Sequence, residues 1–363
     1  MILGDLGVEL ARVLRTAAVD GALPVAATML SASGTWRPVP PYAGAPAGSY
    51  ATSLPLALAR LAGRGPGQLA ALLADPLGAV SWISAARPTG GYLTITVTRA
   101  HLTGLAARIA AAGPGAARSA ALAGTRLTAP GAPDLAAEPS WRAAWRSQRD
   151  AVVGQLASAA GAEVLPLHSQ RTPAPASTRQ AGVSPVQAAV AYFGPDAVRY
   201  ALARTATAGE GAIQRQLGLP LDLTNPFVAV CYAHAGAAST LRWAADLGLP
   251  TTPARAGRAL PPLADAAQPP ELRLLEAMSW LPERIAAAAR RRRPAELAAH
   301  LEYLAACWLD CAGSCPALPF RGRRAPADPA GEHALGRLEL ADAARITLAA
   351  GLRLLGVAAP SRL

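Results

Sequence analysis

Four side chains in the last quarter of the chain have the types that hold metal ions. Cys307, Cys311 and Cys315 follow one another at intervals of four residues, and His300 lies seven residues before the first. On one helix, a rise of about 1.5 Å per residue puts Cys307 and Cys315 about 12 Å apart, whereas zinc-bound sulfurs lie about 2.3 Å from the metal. We therefore expect core thiols, with no metal and no other cofactor.

The basic residues are all of one kind, because the 34 positions counted as Lys+Arg contain no lysine. This excludes a P-loop lysine and a Schiff-base lysine. The net charge of +11 and the isoelectric point near 10.5 favour an anionic partner. The positive charge is spread along the chain with no polybasic tail, so an arginine-rich surface without a specific partner is an equally good interpretation.

Two tryptophans, Trp141 and Trp145, lie four residues apart on a predicted helix. Arginines stand between and beyond them, at positions 142, 146 and 149. This arrangement is able to stack on nucleic-acid bases, but a tryptophan pair covering an apolar seam is the interpretation we favour. A run of four arginines at 290–293 precedes Pro294, where cations suit the end of a helix.

Hydrophobic spacing predicts an α+β domain over residues 1–112. The predicted elements are helices at 6–19, 48–63 and 100–112, a short helix after Pro66, and strands at 80–86 and 91–98 joined by a turn at 87–90.

Residues 113–182 contain seven prolines and predict a connector with one helix at 141–160. This stretch is too short for a doubly wound sheet.

Residues 183–363 predict an all-α helical bundle. The predicted helices are 187–205, 227–247, 271–293 with a break at Pro282, 295–313 and 332–356.

Four cysteines and the lack of a secretory signal favour a reduced, cytoplasmic location. The uncharged stretch at 223–241 contains Asn225 and Pro226 and favours a buried helix start over a membrane span.

Several motifs of the bundle follow one another in a characteristic order. Gly-Pro-Asp-Ala-Val-Arg-Tyr-Ala-Leu occupies 194–202, Asn-Pro-Phe 225–227, Tyr-Ala-His-Ala 232–235, Leu-Pro-Glu 281–283 and Cys-Pro-Ala-Leu 315–318. This succession resembles the DALR anticodon-binding domain of arginyl-tRNA synthetases. Gly-Ser-Tyr-Ala-Thr at 48–52 and Gly-Tyr-Leu-Thr-Ile at 91–95 resemble the N-terminal additional domain of the same family.

The resemblance implies a bundle that grips the tRNA anticodon and a first domain that touches the tRNA corner. The candidate tRNA-binding residues that it implies are Arg199, Tyr200, Tyr232, His234 and Arg242 in the bundle, and Tyr92 and Thr94 in the first domain. For His234 we favour a hydrogen-bonded core histidine over an RNA contact, and for Tyr200 and Tyr232 a core aromatic is an equally good interpretation. Three positions depart from the family pattern: Cys231 replaces a glutamine, Gly236 an arginine and Thr94 an asparagine.

The catalytic motifs of that family are missing from this sequence. No two of the five histidines are three residues apart, as a His-x-Gly-His motif requires, and a Lys-Met-Ser-Lys-Ser loop needs lysine. The segment Ser-Thr-Arg-Gln-Ala-Gly at 177–182 stands where that loop would end, and we interpret it as a remnant without a nucleotide role.

We therefore expect a non-catalytic, synthetase-like protein that binds tRNA, although a family label would imply arginyl-tRNA aminoacylation. The alternative is a protein-interaction or scaffold module that has kept the fold and lost the RNA. The expected partners are tRNA and either a partner protein or a second copy, with no membrane.

Overall fold

The computed structural model describes residues 2–24, 37–167, 183–249, 267–318 and 332–362. Two compact units account for these residues. The first lies within Met1–Ala111, Pro250–Trp280 and Ser314–Leu340, and the second within Ala112–Leu249, Leu281–Gly313 and Ala341–Leu363. The predicted remnant at 177–182 lies outside the described residues.

Helices and strands are numbered in chain order over the described residues. The strands are β1 (Pro38–Val39), β2 (Ser49–Thr52), β3 (Ile83–Thr89), β4 (Tyr92–Val97), β5 (Arg126–Ala129) and β6 (Glu163–Pro166). The helices are α1 (Ile2–Val19), α2 (Leu54–Ala62), α3 (Pro66–Gly78), α4 (Arg99–Thr103), α5 (Leu105–Ala112), α6 (Trp141–Ala159), α7 (Pro185–Phe193), α8 (Pro195–Arg204), α9 (Glu210–Leu217), α10 (Pro226–Asp246), α11 (Pro269–Ser279), α12 (Leu281–Arg291), α13 (Pro294–Ser314) and α14 (Glu332–Leu354).

The first unit is built on an antiparallel sheet in the order β1-β2-β4-β3. Tyr50 pairs with Ile95, and both side chains are fully buried. The Tyr50 hydroxyl forms a 2.8 Å hydrogen bond with Ser279 Oγ at the end of α11, which satisfies the polar tip of a core aromatic. Sheet and helices together confirm the predicted α+β class of the N-terminal region.

Two local predictions in the first unit are wrong. The helix predicted at 48–63 begins only at Leu54, because Ser49–Thr52 form β2 and pair with β4. The hairpin turn lies at Gly90 and Gly91 and not at 87–90, since β3 continues to Thr89. Both glycines have positive φ, at 55° and 85°, which a two-residue turn between antiparallel strands requires.

The second unit is mainly helical, as predicted for the C-terminal part of the chain. The helix predicted at 187–205 is two helices, α7 and α8, because Gly194 has φ 82° and Pro195 follows it. Trp141 is 4% exposed and packs in one core cluster with Val198 and Leu202. Its ring therefore belongs to the apolar seam and is not available to bases.

The segment predicted as a connector folds with the second unit. Besides the predicted helix α6, it contains β5 and β6, which pair in parallel from Arg126↔Glu163 to Ala129↔Pro166. A parallel pair needs a crossover connection, and α6 supplies it. The first stretch of the first unit ends at Ala111, next to the predicted division at 112/113. The clustering places no division at 182/183, because residues 112–167 cluster with the bundle, and α11 clusters with the first unit.

Membrane insertion through a helix finds no support in the described residues, where every helix is too short or too polar to cross a bilayer.

Candidate nucleic-acid interface

Helix α10 carries three of the seven candidate residues. Asn225 starts it, because its side-chain Oδ1 accepts a hydrogen bond from the Phe227 N–H at 3.1 Å and Pro226 takes the first helical position. Tyr232 is 48% exposed, whereas His234, two residues later, is 4% exposed. The helix therefore presents Tyr232 outward and His234 to the interior.

The interior residues of this motif hold the C-terminal segment of the chain. His234 Nδ1 lies 2.8 Å from the Pro360 carbonyl oxygen, which only accepts, so Nδ1 carries the proton. Arg242 Nη1 donates to the Ser361 carbonyl at 2.7 Å. Burial lowers the pKa of His234, an effect that the Pro360 carbonyl opposes. Both side chains thus have structural partners.

Helix α8 contributes Arg199 and Tyr200 to the same region. Asp196 accepts from Arg199 at 3.3 Å and, through its other oxygen, from the Ala358 N–H at 3.0 Å. Arg199 is partly buried and also lies against Gly356, where an added Cβ would meet its Cδ at 3.5 Å. The Asp-Ala-Val-Arg motif therefore fastens the chain end to the bundle.

Tyr200 points into the protein and is 2% exposed. Its hydroxyl donates to Glu302 Oε1 at 3.1 Å, and Arg204 donates to both oxygens of the same carboxylate at 2.7 and 3.2 Å. Burial and the negative charge of Glu302 raise the pKa of Tyr200 well above its usual value. This ring offers no face for an RNA base in the structure.

The two candidates in the first unit, Tyr92 and Thr94, lie on β4. Tyr92 is 40% exposed, but Thr94 is 7% exposed. Both line a cavity of about 350 Å³ whose wall also includes Tyr42. Thr94 pairs across the sheet with exposed Arg87. An RNA contact on this face would involve Tyr92 and Arg87 more readily than the Thr94 hydroxyl.

Sequence reasoning missed Trp243, which follows Arg242 and is 55% exposed. Trp243 lies eleven residues after Tyr232, about three helical turns, so both rings lie on one side of α10. That spacing was the signal that would have found it. Arg242 is partly buried and donates hydrogen bonds to Ser239 and Ser361.

A second group of aromatics was also missed. Tyr192 and Phe193, at the end of α7, pack edge to face at 4.7 Å and are 83% and 39% exposed. They line a largely apolar cavity of about 590 Å³ together with Phe227 and exposed Leu221.

The cysteines lie within helices or next to them. Cys231 is 4% exposed, and burial raises the pKa of its thiol to about 12. A glutamine at this position would be equally enclosed. Cys311 and Cys315 are buried, and Cys307 is partly exposed. The described part of the chain contains no group of three side chains placed to hold a metal ion.

Comparison with known proteins connects this geometry to one family. Residues 230–363 match the model of the DALR anticodon binding domain. The chain is related to arginyl-tRNA synthetases. The arginine–tRNA ligase of Frankia alni is 35% identical over 220 residues, 59% of this chain and 36% of the relative. That of Moorella thermoacetica is 36% identical over 170 residues, 47% of this chain and 28% of the relative.

The chain thus spans about a third of the length of the synthetases it matches. Among solved structures, the Thermus thermophilus arginyl-tRNA synthetase aligns with a TM-score of 0.58 and 15% identity, covering 100% of both chains. At that identity the alignment supports the fold alone. Residues 230–363 are therefore similar to the anticodon-binding domain of arginyl-tRNA synthetases.

Proposed function

We propose that this chain binds tRNA through its anticodon-binding domain and does not itself activate an amino acid. The observation that carries the proposal is the match of residues 230–363 to the DALR anticodon binding domain. Hydrogen bonds of Asp196, His234 and Arg242 also support the proposal. They connect residues 358–361, which follow α14, to helices α8 and α10, where the family motifs lie.

The outward side of α10 is the surface that we assign to the RNA. Tyr232 and Trp243 expose about half of their area, and Arg242 lies between them in sequence. Unstacked bases of single-stranded loops stack on such rings, and a guanidinium group binds the adjacent phosphates. Arg199 serves this surface indirectly, since it pairs with Asp196 beside the chain end.

The absence of lysine supports the non-catalytic part of the proposal. Transfer of the adenylyl group from ATP to an amino acid, with pyrophosphate as the leaving group, needs positive charge where negative charge develops on the phosphates. The family supplies it through lysine and histidine motifs that this sequence lacks. The described residues also contain a single parallel strand pair, β5 and β6, where a nucleotide-binding fold uses several.

Binding of tRNA transcripts to the purified chain tests this proposal. We expect binding that weakens steeply with salt, because phosphate contacts release counterions. Tyr232→Ala together with Trp243→Ala should weaken it by about tenfold or more, from the loss of two stacking rings. Tyr192→Ala removes a more exposed ring, on α7, and should leave tRNA binding unchanged. Equal loss in both variants, or no binding above a generic polyanion, would overturn the proposal.

A protein-interaction role is the second candidate, and the exposed apolar group at the end of α7 favours it. Tyr192 and Leu221 are 83% and 87% exposed beside a cavity of about 590 Å³. Exposed apolar patches mark interaction sites. This candidate predicts self-association in sedimentation experiments at rising concentration, lost in Tyr192→Ala and kept in the α10 double variant.

A further inference from the structure

A cavity of about 500 Å³ lies in the second unit, beside the turn that joins α12 to α13. Its wall contains four arginines, which we call the arginine pocket: Arg149, Arg291, Arg292 and Arg293. Glu296 is the one carboxylate among its described wall residues. Asp150, next to the wall, binds two of the arginines. Four positive groups therefore face two negative ones.

Trp145 holds the first of these arginines in place. Its indole N–H donates to the Thr205 carbonyl at 2.9 Å, which fixes the ring. The guanidinium carbon of Arg149 lies 4.8 Å from the ring centroid, in a cation–π contact. The arginine thus covers the ring, so Trp145 orients a cation here and does not stack on a base.

Asp150 draws two guanidinium groups together. Its Oδ1 accepts from Arg149 Nη2 at 3.0 Å and from Arg292 Nη2 at 3.0 Å. The two nitrogens are therefore no farther apart than twice that distance. One carboxylate offsets only one of the two positive charges, so a net positive charge remains beside the cavity.

The backbone at Arg292 is unusual. Its φ of 53° is the one positive value outside glycine in the described chain. The N–H groups of Arg292 and Arg293 bond to the carbonyls of Ala289 and Ala288, closing the end of α12 in a turn that glycine normally occupies. The turn itself would be less strained with glycine, which points to a use for the side chain.

We propose that the arginine pocket binds a phosphate group, carried by a small phosphorylated compound or by an RNA backbone. The planar forks of arginine match phosphate oxygens in pairs, and the cavity has the size of a small-ligand site. Arg293 pairs with no carboxylate among the described residues, so its guanidinium group is available to the ligand. Arg291 is bound to Glu296 at 2.9 Å.

This site is separate from the surface on α10, and it does not depend on tRNA binding. A small phosphate compound would bind it even where the proposed function fails. Conversely, tRNA would still contact α10 after the loss of the pocket, and its affinity would fall only if the pocket takes an RNA phosphate. Inorganic pyrophosphate and tRNA transcripts are therefore used as independent probes of the same variants.

The experiment measures pyrophosphate binding by calorimetry with the wild-type chain, Arg293→Gln, Arg292→Gly and Arg126→Gln. Arg292→Gly keeps the turn and relieves its backbone, so this variant should fold as well as the wild type. Both pocket variants should weaken binding by about tenfold or more, from the loss of a charge-assisted donor. Arg126, on β5, is an exposed arginine paired with Glu163, and its replacement removes the same charge without affecting the pocket.

Saturable pyrophosphate binding that is lost in the pocket variants and kept in Arg126→Gln would establish a small-phosphate site. An absence of pyrophosphate binding, with tRNA affinity reduced in the pocket variants alone, would identify an RNA phosphate as the ligand. Variants that behave like Arg126→Gln with both probes would overturn the proposal.

Discussion

One carboxylate, Glu302 on α13, joins two side chains of α8. Tyr200 is buried with its hydroxyl on Glu302, and Arg204 binds both carboxylate oxygens. The hydrogen bonds that Arg204 donates to Glu302 raise the pKa of Arg204. We expect Glu302→Gln to lower the free energy of unfolding by about 1–3 kcal/mol, because the amide leaves a donor facing donors. Urea unfolding followed by circular dichroism measures the change.

Glu163→Gln is the matched control for that measurement. Glu163 also pairs with an arginine, Arg126, but their side chains are 54% and 76% exposed. Solvent screens such a pair, so Glu163→Gln should lower the free energy of unfolding by no more than about 1 kcal/mol. Equal losses in the two variants would mean that the α8–α13 connection contributes no more than a surface ion pair.

His234 gives the folded chain a pH dependence of its own. Burial lowers the pKa of His234. At pH values between that lowered pKa and about 6.5, the unfolded chain therefore binds a proton at this residue and the folded chain does not. The free energy of unfolding should therefore be unaffected by His234 above about pH 6.5, fall below it, and level off once the folded chain is also protonated.

Unfolding titrations between pH 5 and pH 8 on the wild type and His234→Gln check the sign of this effect, with the window taken around about 6.5. His234→Gln should lose the part of the pH dependence of the unfolding free energy that comes from this ring. His333→Gln, which replaces an exposed histidine, should retain it. A slope that is the same in wild type and His234→Gln would show that burial does not hold the ring neutral.

At the scale of elements, the strand–helix–strand segment β5–α6–β6 depends on one glycine. A Cβ at Gly154 of α6 would lie 2.4 Å from the Cβ of Ala129 on β5, an atom that cannot rotate away. Gly154→Ala should therefore lower the free energy of unfolding by about 1–3 kcal/mol through overpacking, although alanine favours helices. Thermal unfolding of the variant measures this.

Gly67→Ala tests the opposite case in α3. Nothing lies within 4 Å of a Cβ added there, so the substitution causes no clash. What remains is the lower conformational entropy of the unfolded chain, which favours the folded state. The variant should be unchanged or more stable by up to about 1 kcal/mol. If Gly154→Ala were equally neutral, α6 would be free to move away from β5.

Local patterns were enough to predict most helices. α6 was predicted at 141–160 and spans Trp141–Ala159, and α10 was predicted at 227–247 and spans Pro226–Asp246. Each has its own N-cap, Ser140 or Asn225, so the boundaries depend on neighbouring residues alone. Strands β5 and β6 were missed, since each has four residues and their pairing joins positions 37 apart.

The same difference between local and distant information applies to the candidate site. The family motif identified Tyr200 and Tyr232 alike, but the motif does not say which way a ring points. Tyr200 is buried because its hydrogen-bond partner, Glu302, comes from a helix 102 residues later. Exposure of Tyr232 follows from the way α10 packs, which the sequence of that helix does not determine by itself.

At the scale of the whole molecule, the chain combines 34 arginines, no lysine and about a third of the length of the synthetases it matches. We expect no arginine-dependent exchange of pyrophosphate into ATP, because the charged motifs that stabilise the transition state are missing. The full-length Frankia alni ligase is the positive control. Exchange above that of heat-denatured chain would contradict the proposal of a non-catalytic protein.

Interpretation of the pyrophosphate exchange assay requires a direct measurement of ATP binding as well. The arginine pocket takes phosphate groups in our proposal, so ATP binding alone would not indicate an activating enzyme. We expect ATP to bind, to lose affinity in Arg292→Gly and Arg293→Gln, and still to give no exchange. Exchange that disappeared in those variants would instead assign the pocket to catalysis, because binding and turnover would then depend on the same arginines.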